Sequence, residues 1–79
     1  MIKRITRVEP LDNYILSVSF EDGKSVLYDM KEDMGLPGYS VLRETEGLFN
    51  QVQLDESRTC VYWNEDVDLP SDILYEYGK

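Results

Sequence analysis

No histidine occurs in these 79 residues, and there is one cysteine, Cys60. Without an imidazole the chain cannot assemble a Ser-His-Asp or Cys-His constellation of its own. A single thiol allows no intrachain disulfide, so the fold does not require an oxidising compartment. No apolar run approaches the roughly 20 residues that span a bilayer. The opening MIKRITRVEP lacks the apolar stretch of a signal peptide. These absences lead to the expectation of a cytoplasmic protein with no membrane association. Phosphate-cradling glycine loops are missing too, since neither GxxxxGK(S/T) nor GxGxxG is present. Gly35 and Gly38, framing Leu36-Pro37, read as turn chemistry.

Basic residues are scarce: eight Lys and Arg stand against sixteen Asp and Glu, for a formal charge of −8. Residues 44–79 hold nine of the acids and only Arg58 and Lys79, a net −7, whereas residues 1–43 are near balance at −1. A polyanion would be repelled by that second half, because nucleic-acid affinity rests on neutralising phosphates. Direct nucleic-acid binding is therefore not expected. A basic protein partner is electrostatically favoured, with steering that weakens as salt rises. Acidity of this kind also serves solubility alone. The length points to a single domain over 1–79, and a core of that size supplies only about 3–5 kcal/mol of net stability. So small a domain has little material for a deep, desolvated active site.

The first half reads as strands. Ile2, Ile5 and Val8 mark a first strand, ended by Pro10 and the Asp12-Asn13 turn signal. From Tyr14 to Phe20 the alternation is clean, with Tyr14, Leu16, Val18 and Phe20 on one face and Ile15, Ser17 and Ser19 on the other. Asp22-Gly23 then signals a hairpin, and the return strand sets Val26, Tyr28 and Met30 against Ser25, Leu27 and Asp29. Pro37 and Gly38 interrupt the middle segment. Beyond them Ser40 is placed to cap a turn or two of helix. Two more strands are expected over Phe49–Leu54 and Thr59–Trp63, joined through Asp55-Glu56-Ser57-Arg58. A short terminal helix is expected to start beside Pro70 and to end at Gly78. The fold class is α+β: a small antiparallel sheet of about five strands, with a short middle helix and a short C-terminal helix packed on one face. The other face, with Ser17, Ser19, Ser25, Gln51 and Gln53, is left to solvent or to a partner.

Little in the chain carries chemistry. Cys60 lies in an apolar strand with no basic neighbour to activate it, and reads as a small buried hydrophobe. Trp63-Asn64-Glu65-Asp66-Val67-Asp68 is the most suggestive stretch. Glu65, Asp66 and Asp68 offer oxygen ligands to a hard cation, but the glycine and terminal glutamate of a calcium loop are missing. The plainer reading is a solvated turn between the last strand and the last helix. No cofactor or metal is expected, and no catalytic residue. Six tyrosines and Trp63 are many for the length. Tyr14, Tyr28 and Trp63 go to the core by their strand faces, and of the four other tyrosines Tyr62 and Tyr77 are the first expected at an interface.

Several pieces in order, Pro10-Leu11-x-Asn13-Tyr14-x-Leu16-x-Val18-x-Phe20-x-Asp22-Gly23, then Tyr28-Asp29-Met30, Val61-x-Trp63 and Asp68-Leu69-x-x-Asp72-x-Leu74-Tyr75, resemble the bacterial domain-of-unknown-function family 2442. The resemblance spans nearly the whole chain and rests on fold-determining positions, so it brings no catalytic motif. It implies a bacterial, intracellular, compact α+β protein. Some members carry a following helix-turn-helix domain, and some are encoded beside another small protein in a toxin–antitoxin-like arrangement. These 79 residues hold no helix-turn-helix pattern, so DNA binding is not expected of them. The expectation is a non-enzymatic protein-interaction module, an acidic antitoxin-like partner of a small basic protein, with Tyr62, Glu65, Asp66, Asp68 and Tyr77 as its binding residues. A small-ligand or divalent-cation sensor using the loop after Trp63 is the alternative. Homo-dimerisation through an open sheet edge or face is compatible with both.

Overall fold

The computed structural model describes residues 3–79, and Ile2 lies outside the described residues. Ile5–Leu11 forms β1, Ile15–Phe20 β2 and Ser25–Asp29 β3, an antiparallel meander in the order β1-β2-β3. Alternation decides its faces. Leu16, Val18 and Phe20 of β2 and Val26 and Tyr28 of β3 are buried, while Ser17 and Ser19 are half-exposed and Ser25 is exposed. The Ser19 and Ser25 hydroxyls meet on the outer face at 3.2 Å. Between β2 and β3, Glu21-Asp22-Gly23 makes a three-residue loop closed by Phe20 N–H donating to the Lys24 carbonyl at 2.8 Å. Gly23 at φ 93 takes the left-handed position that such a loop requires.

The turn between β1 and β2 holds a departure from the sequence pattern. The alternation starts at Tyr14, but the strand starts at Ile15, because Asn13 (φ 64) and Tyr14 (φ 60) are both left-handed within a single 3-10 turn over Asp12–Tyr14. Asparagine tolerates that region, whereas a bulky aromatic rarely enters it. Two contacts hold Tyr14 there. Its carbonyl accepts the Met30 N–H at 2.9 Å, and its ring packs edge-on against Phe49 at 5.3 Å.

The middle segment is a chain of short turns. Met34 and Leu42 are buried, and α1 is one turn, Val41–Glu44. Ser40 does not cap it: its backbone is already helical, and its hydroxyl donates weakly to the Pro37 carbonyl at 3.4 Å. The expected strand over 49–54 shortens to β4, Gln53–Leu54, preceded by a 3-10 turn over Phe49–Gln51. Leu48 and Phe49 are both buried, and a strand would send consecutive side chains to opposite faces. The Trp63 indole N–H secures the turn by donating to the Phe49 carbonyl at 3.0 Å.

Cys60–Asn64 forms β5, and Val67–Pro70 forms β6 where the sequence reading placed a solvated turn. The turn itself is only Glu65-Asp66. Asn64 Oδ1 accepts from the Asp66 and Val67 N–H groups at 2.8 and 3.0 Å, which frees β6 to start at Val67. Val67 and Leu69 are buried and Asp68 and Pro70 exposed, a two-residue period. Pro70 is accommodated because β6 is an edge in the order β4-β5-β6. Ser71–Tyr77 forms α2, with Leu74 fully buried. Its exit at Gly78 passes so close to β3 that a Cβ there would lie 2.6 Å from Val26 Cγ2. The class is thus α+β, with six strands among the described residues, divided between two three-stranded sheets that share one core. Ile5 N–H donating to the Arg58 carbonyl at 2.7 Å links the first sheet to the loop of the second.

Candidate functional site

Four of the five expected binding residues come together on the second sheet. Tyr62 and Asp68 are direct cross-strand partners on its outward face, with Glu65 and Asp66 at the end of the same hairpin. The Tyr62 hydroxyl donates to Gln53 Oε1 at 3.2 Å, extending the row across β4. The Asp68 carbonyl accepts the Tyr39 hydroxyl at 2.8 Å. Among the described residues no three His, Cys, Asp or Glu side chains are grouped so as to hold a metal ion, the Glu65–Asp68 loop included.

Tyr77 belongs to a different surface. Leaving α2 62% exposed, it lines a groove of about 620 Å³ with Leu27, Asp29, Glu32, Asp33 and Lys79. Leu27 is 50% exposed on the outward face of β3, and Ile73 adds an apolar side. Three carboxylates therefore edge a partly apolar groove. The Tyr28 hydroxyl donates to Asp33 Oδ2 at 2.6 Å. Burial first, and then that carboxylate, push the Tyr28 hydroxyl well above the ordinary tyrosine range. Asp29 shares an exposed ion pair with Lys31 at 3.5 Å. Tyr39 sits between the two acidic surfaces: burial raises its hydroxyl, and the nearby Asp33 and Asp68 carboxylates raise it further.

Sequence reasoning named Tyr77 but missed Leu27, Asp29, Glu32 and Asp33. They lie in the half whose net charge is nearly balanced, and they meet Tyr77 only because α2 packs on β3. One signal was legible: Leu27 is an apolar residue on the face that otherwise holds Ser25 and Asp29.

Cys60 is half-buried, and burial raises its thiol above the usual value, against a smaller opposing effect of a Leu69 backbone hydrogen bond. That leaves little thiolate for nucleophilic attack. A second concavity of about 430 Å³ lies beside Asn13 and Tyr14, with Arg43 set among Asp12, Glu44 and Glu46. Its charges are mixed in sign.

A family model described as "Protein of unknown function" matches residues 5–79, nearly the entire chain. No curated protein and no solved structure matches the chain.

Proposed function

The chain belongs to the DUF2442 family, and from that premise we propose that it is a non-enzymatic protein-interaction module for a basic partner. The observation that carries this reading is the groove between β3 and α2. It combines exposed Leu27 and Tyr77 with the carboxylates of Asp29, Glu32 and Asp33. An apolar bed edged by carboxylates suits a side chain with an aliphatic stem and a cationic head, as lysine and arginine have. The acidic row of Tyr62, Glu65, Asp66 and Asp68 widens the attractive field that such a partner meets. The finer part of the proposal is an antitoxin-like relation, in which this domain covers the basic surface of a small protein and so neutralises it. A cytoplasmic setting belongs to the same proposal. It agrees with the lone cysteine, and no helix among the described residues is long and apolar enough to cross a membrane.

Affinity capture from source-cell lysate at about 50 and about 300 mM salt tests this, since screening acts mainly on exposed charges. One stoichiometric basic protein is expected, strongly retained at low salt and lost at high salt. Tyr77→Ala should weaken its binding by about 5–30-fold, the usual range for an interface aromatic. Capture of nothing salt-sensitive, or of a partner indifferent to Tyr77→Ala, would overturn the reading.

A further inference from the structure

Each sheet has two outer strands, and three of these four edges are blunted in familiar ways. β1 carries a register irregularity between Ile5 and Arg7, and also Pro10. β4 is two residues long. β6 ends in Pro70, and its Asp68 carbonyl is taken by Tyr39. β3, SVLYD, has neither proline nor bulge.

Alternation of the antiparallel ladder turns the N–H and C=O groups of Ser25, Leu27 and Asp29 to the outer side of β3. Only the middle pair is used among the described residues. Lys79 N–H donates to the Leu27 carbonyl at 2.9 Å, and Leu27 N–H donates back to the Lys79 carbonyl at 3.3 Å. Two bonds between the same two residues are the pattern of an antiparallel bridge. Among the described residues the outward main-chain groups of Ser25 and Asp29 make no such bond. Lys79 also forms no ion pair, among the described residues, with the carboxylates around it, and Glu32 and Asp33 have no cationic partner there.

We infer that the outer edge of β3 docks one extended, lysine- or arginine-bearing segment of a partner protein, which adds a strand where the chain's own Lys79 now lies. This deepens the interaction-module reading and rests on it. Lys79 already shows that this edge accepts the main chain of a basic residue. An added strand would take up the main-chain groups of Ser25 and Asp29 as well. Its alternate side chains would lie on Leu27 and Tyr77 and face Asp29, Glu32 and Asp33. A second copy of this chain fits less well. It would bring the same carboxylates to the same seam, with a formal −8 on each side.

The probe is an acetylated, amidated octapeptide alternating lysine and valine, titrated into the full chain and followed by amide shifts. Its controls are a glutamate–valine octapeptide and a lysine–valine octapeptide N-methylated along one edge. Expected are shifts centred on Ser25, Leu27 and Asp29, and binding at least about tenfold weaker for either control. Glu32→Lys should weaken binding about fivefold or more, with Glu32→Gln intermediate. Glu65→Lys, on the other sheet, should change it by less than about twofold. Equal binding of the N-methylated peptide, shifts centred on Glu65–Asp68, or a dimer through β3 that the peptide does not disperse would each overturn the edge assignment. A salt-sensitive partner captured from lysate that Tyr77→Ala weakens, but that leaves the amides of Ser25, Leu27 and Asp29 unshifted, would sink this inference alone. Absence of any such partner would sink the broader reading.

Discussion

Tyr28 shows how much one hydroxyl can do in a small core. It reaches from the buried face of β3 to Asp33 at 2.6 Å, anchoring the turn after β3 to the sheet. Its proton is held more tightly folded than unfolded, first by burial and then by the carboxylate. Stability drawn from this group is therefore intact below the ordinary tyrosine value of 10.0 and is lost as pH climbs above it. Tyr28→Phe should cost about 1 kcal/mol at neutral pH, the worth of a typical hydrogen bond. It should also flatten the alkaline loss of stability, as followed by urea denaturation between about pH 8 and 11. At the acid end, backbone and hydroxyl donors lower Asp22, through Lys24 and then Tyr75, and Asp55, through Ser57. Those contributions are present above 3.8 and fade as pH falls below it.

Among the elements, those with a local cause were legible. The β2–β3 hairpin follows from Asp22-Gly23 and a clean two-residue period, and α2 follows from Pro70, Ser71 and Gly78. β6 was hidden because its period, Val67 and Leu69 buried against Asp68 and Pro70, is carried by only four residues, two of them poor strand formers. The Phe49–Gln51 turn was hidden for a different reason. It exists because Trp63, fourteen positions on, supplies a hydrogen bond and a stacked ring at 6.2 Å, and nothing beside Phe49 announces that. Trp63→Phe keeps most of the apolar bulk but leaves the Phe49 carbonyl without its donor. A loss of about 1–3 kcal/mol is expected, with faster amide exchange concentrated in residues 49–54. Exchange spread evenly over both sheets would contradict that account. The groove was the least legible feature, since Leu27 and Tyr77 stand fifty positions apart and meet through packing alone.

For the whole molecule, two sheets of three strands enclose a single cluster in which Leu16 and Val18 of the first and Val61 and Trp63 of the second are all buried. Neither sheet has a second apolar face to stand on. Unfolding is therefore expected to be one cooperative step. Trp63 fluorescence, reporting the second sheet, should share its midpoint with far-ultraviolet circular dichroism. Val18→Ala and Val61→Ala should move both signals together, and separate midpoints would mean that the sheets melt independently. The reciprocal hydrogen bonds between Lys79 and Leu27 also bear on how the molecule is handled. Residues joined after Lys79 begin at the β3 edge, within reach of Asp29 and Glu32. A polyhistidine purification tag attached there would compete for that edge, and would lend a chain without imidazoles a titration near neutrality that is not its own.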